Sequence, residues 1–160
     1  MKVGIDWGGT KIEGIVLEPS TGKELLRKRV DAPKDNYVEI INKVCELIND
    51  ISDNFDDFSV GIGMPGSLHP ETGLVQVSNT KALEGQNVKN DLEKKLGYEV
   101  KIANDADCLA VSESIDGSGI FVPLGSLCWA LFGTGEGPFL GLGMALVLCW
   151  LYFGENGGWY

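Results

Sequence analysis

The sequence predicts an α/β domain built on one mixed sheet, and three observations carry that expectation. Strand-like runs at 3–7, 12–17 and 24–30 are joined by short turns, the pattern of an antiparallel meander. A stretch with helical spacing follows at 37–52. Two more apolar runs, 58–63 and 98–103, then alternate with helical segments, as crossover connections between parallel strands require. The expected order is β-β-β-α-β-α-β-α, with a further short strand at 74–77 and no internal repeat.

Each element has a local reason. The first strand ends at Trp7, and Gly8-Gly9-Thr10-Lys11 turns the chain into the second. Pro19-Ser20-Thr21-Gly22 is turn chemistry. The third strand carries a charged outer face, and a polar loop with Pro33 leads to the helix. In that helix Val38, Ile41, Val44, Cys45, Ile48 and Ile51 recur at helical spacing. An acidic surface loop at 50–57 precedes the strand that stops at Met64-Pro65-Gly66. Asn87 is placed to cap a short helix through Leu96. Residues 105–115 read as a helix with Leu109 and Val111 on its inner side.

Length and composition narrow the function classes. The chain has 160 residues, of which 44% are hydrophobic, enough for one domain with a core. Its net charge of −10 speaks against a nucleic-acid binder, which shows a basic stripe, and against docking on an anionic membrane. Any phosphate site must therefore be local. The four cysteines, Cys45, Cys108, Cys128 and Cys149, form no C-x-x-C pair and indicate neither a disulfide framework nor a zinc knuckle. Cys45 reads as a buried thiol. The apolar run at the N-terminus is too short for a signal peptide, so a cytoplasmic protein is expected.

From Gly117 onward the composition changes. No Lys or Arg occurs there, and only Glu136 and Glu155 carry charge. The uncharged run at 137–154 approaches the length of a membrane span. Pro138, Gly141 and Gly143 interrupt it, and no basic residue flanks it to set an orientation. Residues 1–117 read as the first domain, and 118–160 as the opening of a second, truncated or altered in sequence.

Four motifs lie at element ends. In Asp6-x-Gly8-Gly9-Thr10-Lys11, glycines can bring backbone N–H groups against an anion, with the Thr10 hydroxyl and Lys11 charge added. Asp6 could hold Mg²⁺ through water; a plain hairpin turn is the competing account. Gly61-Ile62-Gly63-Met64-Pro65-Gly66 has the form G-x-G-x-x-G, but loop residues follow it in place of a helix, which excludes a dinucleotide fingerprint. Close passage of the backbone by a small ligand fits better. His69, the sole histidine, reads as an exposed loop residue. Asn79 follows one strand and Asn104-Asp105 another; if the strands are parallel, both lie at the sheet edge where ligands bind. Either asparagine could equally cap a turn or helix. Gly133-Thr134-Gly135 is a second glycine–threonine turn.

As a set, Asp6–Lys11, the run 61–67, Ser78-Asn79, the run 103–106 and Gly133–Gly135 resemble the ROK family (repressors, open reading frames and kinases) in order and spacing. Cys108-Leu-Ala-Val-Ser-Glu113 and the loop through Gly73 resemble its bacterial fructokinase branch, with N-acetylglucosamine kinases next. The resemblance implies an actin-like, ribonuclease-H-like ATPase domain and an ATP- and Mg²⁺-dependent kinase. Such an enzyme moves the γ-phosphoryl group to a hexose hydroxyl, fructose 6-OH first and N-acetylglucosamine as the alternative. It implies Asp105 as catalytic base. It places Gly66, Asn79, Asn104 and Glu155 on the sugar, and Asp6, Gly8, Gly9, Thr10, Lys11, Gly133, Thr134 and Gly135 on ATP. It also implies a homodimer for the full-length protein.

The sequence departs from the family at Asp107, where Asn is usual, and at Gly154-Glu155-Asn156-Gly157-Gly158, which lacks the family's histidine. The family's zinc cluster would fall beyond Tyr160. A sugar-sensing repressor of the same family is the other reading. Repressors carry a helix-turn-helix ahead of the first strand, whereas here a strand begins at Val3. The chain by itself is expected not to phosphorylate sugar at a useful rate.

Overall fold

A computed structural model describes residues 1–69, 71–105 and 108. Its main sheet has five strands. These are β1 (Lys2–Trp7), β2 (Lys11–Leu17), β3 (Glu24–Asp31), β4 (Ser59–Met64) and β7 (Val100–Asn104), in the order β3-β2-β1-β4-β7. The β3, β2 and β1 strands pair antiparallel, as the meander predicts. The pairings β1–β4 and β4–β7 are parallel, so these three strands end at one edge. In register, Asp6, Gly63 and Ala103 form one row across that edge, with Asn104 beside Met64.

Helix α1 (Tyr37–Ser52) begins as its sequence directs. Asn36 Oδ1 accepts from the Val38 and Glu39 N–H groups, and Asn36 Nδ2 donates to Glu39 Oε1 at 3.1 Å. Its inner stripe, which includes Ile40, Ile41, Val44, Leu47, Ile48 and Ile51, is buried. Each such side chain contributes roughly 1.5–3 kcal/mol by leaving water. The helix lies on the sheet face that bears Ile5 and Gly14. A Cβ on Gly14 would stand 2.7 Å from Ile51 Cδ1, so the glycine sets how closely the helix seats. Helix α2 (Val88–Leu96) is capped by Asn87 and ended by Gly97, whose φ of 82° is left-handed. Tyr37 Oη donates to Asp91 Oδ2 at 2.7 Å and ties the two helices together.

Three expectations need correction. The loop expected after Gly66 begins with a strand: β5 (Ser67–Leu68) pairs antiparallel with β6 (Val75–Val77) in a separate two-stranded ribbon. Asn79 thus follows a ribbon strand, not a parallel strand of the main sheet. The strand β6 is too short and too exposed to extend the sheet, with Val77 65% exposed. β7 runs one residue beyond the expected end of that strand, through Asn104, which pairs in register with Met64. Finally, His69 is half-buried, not exposed. Its N–H donates to Leu74 O at 2.8 Å and its Nδ1 accepts from Glu71 N–H at 3.2 Å, which closes the ribbon's loop.

Asp105 and Cys108 are helical, in accord with the expected helix; Leu109, Val111 and the rest of it lie outside the described residues. So do the region 118–160 and the apolar run within it. Among the described residues no helix is long and apolar enough to cross a membrane.

Candidate functional site

The shared edge of β1, β4 and β7 gathers the sequence-predicted residues. Asp6 is delivered by β1, one residue before the strand ends, and is largely buried. Burial pushes its carboxyl up to about 6, with the charges of Glu13 and Asp105 adding to the rise and Arg29 opposing it. Asp6 and Asp105 are therefore within electrostatic reach of one another, although 99 positions separate them in the chain. Asp105 itself is exposed, on the first helical residue after β7. A carboxylate in that position can accept a proton from a bound hydroxyl.

Glu13 has an environment that the sequence did not disclose. It pairs with Asp6 across β1 and β2, is 4% exposed, and accepts from Arg27 Nη1 at 3.0 Å and Arg29 Nη2 at 2.6 Å. The two guanidiniums come from β3, so the charged outer face of that strand compensates a buried carboxylate. The only signal was a glutamate inside an otherwise apolar strand, which a pattern of alternation does not rank as a site.

The turn between β1 and β2 is small and open. Gly8 N–H donates to Lys11 O at 2.9 Å, and Ala32 N–H to Thr10 O at 2.9 Å. Gly9, Thr10 and Lys11 are exposed. A Cβ on Gly8 would stand 3.1 Å from Lys11 O, while one on Gly9 would meet nothing within 4 Å. Neither glycine has a positive φ, so a tight left-handed turn is not what they supply; Gly8 serves close approach, and Gly9 leaves its backbone uncovered. The Lys11 ammonium pairs with Asp31 across the β2–β3 ladder.

The turn after β4 is built differently. Gly66 has φ 126°, and a Cβ there would stand 2.5 Å from Val77 O. Asn104 Nδ2 donates to Gly66 O at 2.7 Å, and Ser78 Oγ donates to Pro65 O at 2.7 Å. Two consecutive carbonyls of the turn are thus held by side chains from β7 and from the residue after β6. Asn79, next to Ser78, is exposed at this junction. Of the expected sugar-side residues, Gly66, Asn79 and Asn104 are drawn together by these bonds. Glu155, Gly133, Thr134 and Gly135 lie outside the described residues.

Among the described residues, no group of three or more His, Cys, Asp or Glu could hold a metal ion. Asp6, a single carboxylate at the strand edge, has the donor chemistry to hold a hydrated Mg²⁺ through water and no more than that.

Comparison with known proteins bears on this geometry. The model of the ROK family matches residues 2–137. The N-acetyl-D-glucosamine kinase of Pasteurella multocida (strain Pm70) is 37% identical over 138 residues, which cover 86% of this chain and 44% of that protein. The N-acetyl-D-glucosamine kinase of Escherichia coli O139:H28 is 38% identical over 139 residues, 86% of this chain and 45% of the relative. The chain therefore spans less than half the length of these curated relatives. Among solved structures, a ROK family glucokinase from Streptomyces griseus in complex with glucose and AMPPNP superposes with a TM-score of 0.62. It is 28% identical, over 70% of this chain and 35% of that one. The actin-like fold expected from the motifs is the fold of these neighbours.

Proposed function

Since the chain belongs to the ROK family, we propose that it forms the catalytic-base and phosphate-turn half of an ATP-dependent sugar kinase acting on N-acetylglucosamine. The observation that carries this is the convergence of Asp6, the Gly66 turn, Asn104 and Asp105 on one edge of the parallel strands. Open α/β sheets take their ligands at this edge.

In this reading Asp105 accepts the proton of the sugar hydroxyl as the phosphoryl bond forms. Asn79 and Asn104 orient the sugar, and the Gly8–Lys11 turn faces the ATP phosphates. An ordinary carboxylate suffices as base, because the hydroxyl loses its proton only as the new bond is made. Asp6 would hold a hydrated Mg²⁺, and the ion would supply charge neutralisation on the phosphates. The S. griseus complex with AMPPNP, an analogue of ATP, supports the choice of nucleotide.

The choice of sugar revises the order expected from the sequence. Fructose came first there, on the strength of the 67–73 loop and the 108–113 run. The named curated relatives are N-acetylglucosamine kinases and support the alternative better. Titration of the chain with N-acetylglucosamine, glucose and fructose, followed by amide chemical shifts, tests this. The tightest response is expected for N-acetylglucosamine, at residues near Asn79, Asn104 and Asp105; a tighter response to fructose would restore the first order.

A further inference from the structure

We propose that Ser78 is a positioning residue for the sugar, acting through Asn79. This rests on the reading of the edge as a hexose site. Ser78 is 3% exposed, and its hydroxyl works in both directions: it donates to Pro65 O at 2.7 Å and accepts from Thr80 N–H at 3.1 Å. The second bond closes a serine turn around Asn79. The Ser78 N–H donates to Glu84 Oε1 at 3.3 Å, and Thr80 O accepts from Leu83 N–H at 3.0 Å. The backbone on each side of Asn79 is thereby tied down by neighbours, while Asn79 stands exposed between them.

The first bond gives this fixation its direction. Pro65 O belongs to the same turn whose next carbonyl, Gly66 O, is held by Asn104. Ser78 and Asn104 thus grip adjacent carbonyls, and the turn becomes a spacer between Asn79 and the Asn104-Asp105 pair. The absent Cβ of Gly66 allows the contact, since one placed there would come within 3.0 Å of Ser78 Cβ. A ribbon strand of three residues cannot set that spacing by itself. The hydroxyl does, and an amide held in advance costs less ordering when the sugar arrives.

The test compares Ser78→Ala with Ser78→Thr in the 160-residue chain, each titrated with N-acetylglucosamine and, separately, with MgATP. Ser78→Ala should weaken sugar binding by about tenfold, the cost of a misplaced hydrogen-bonding group, with MgATP affinity unchanged within about twofold. Amide exchange at Thr80 should accelerate in the same variant. Ser78→Thr keeps the hydroxyl and should recover most of the sugar affinity. Undiminished sugar affinity in Ser78→Ala overturns the proposal while leaving the hexose site standing. Equal loss of sugar and nucleotide binding in both variants also overturns it, since Ser78 would then be holding the fold and not the sugar. If the unsubstituted chain binds none of the sugars, the hexose reading fails and the proposal falls with it.

Discussion

The two glycine-bearing turns at the candidate site are opposite in construction. The Gly8–Lys11 turn closes on itself through Gly8 N–H to Lys11 O, and its two strands are adjacent in the chain. The Pro65–Gly66 turn is held by Ser78 and Asn104, 13 and 38 positions away. A hairpin turn needs only its own backbone, so it can stay open to a mobile, multiply charged ligand. A turn shared by β4, the ribbon and β7 is rigid only when all three are in place, which suits it to positioning a neutral sugar. The first closes through its own backbone and is braced from the end of β3 only at Thr10 O and Lys11, whereas the second is held by side chains distant in the chain.

The sharpest test lies beside the tertiary turn. Joining residues 1–117 to the C-terminal half of the P. multocida kinase should give a chain able to turn over, because catalysis of this kind needs both sides of the cleft. In it Asp105→Asn should lower kcat by a factor of about 10²–10⁴, the usual contribution of a general base, with the sugar KM little changed. A variant with near-normal kcat in a coupled ADP-release assay would remove Asp105 from its role. The 160-residue chain without that half should show little transfer, since positioning both substrates supplies much of the rate.

The next largest effect links the two turns through Asp6. Its folded pKa is raised to about 6 from 3.8, so between these values the folded state binds more protons than the unfolded state. Stability from this group is fully present below about pH 4 and is lost as pH rises through 6. The loss is of the order of 3 kcal/mol by linkage. Asp6→Asn should therefore raise Tm at pH 7.5 and flatten the pH dependence between 4 and 6. An unchanged profile in thermal unfolding would show that the buried carboxylate is compensated in the fold. Asp105→Asn, which removes one of the repelling charges, should lower the Asp6 pKa measured by carboxyl NMR.

Two glycine substitutions then set the turns directly against each other. Gly66→Ala combines a left-handed backbone with a Cβ 2.5 Å from Val77 O, and should cost about 1–3 kcal/mol in denaturant unfolding. Gly9→Ala meets nothing within 4 Å and has no positive φ, so stability should stay within about 0.5 kcal/mol. If Gly9→Ala weakens MgATP binding with stability intact, the open turn is a phosphate site whose backbone must remain uncovered. Equal stability losses at the two glycines would erase the contrast between the turns.

Much of this was legible in the sequence because it depends on neighbours in the chain. The periodicity of 37–52 marked α1 and most of its buried stripe, although Val38 is exposed and Ile40 and Leu47 join the stripe. Asn87 marked the start of α2 by the chemistry of helix ends, and the runs 3–7, 12–17 and 24–30 became three adjacent strands. The motif set carried the family. Where elements meet across the chain, the sequence offered no measure. It did not place β5 against β6, because a pair that short has no periodicity to detect. It did not show that Arg27 and Arg29 neutralise a buried Glu13, or that burial beside that group holds the Asp6 carboxyl near 6. Nor did it distinguish the two glycine turns. Steric room at Gly66 is set by Val77 and Ser78, which the strand ladder, not chain proximity, brings to it. Local preference acts over a few residues and is written in residue type. Burial, charge coupling and close approach are properties of surroundings, and those exist only once the strands have found their register.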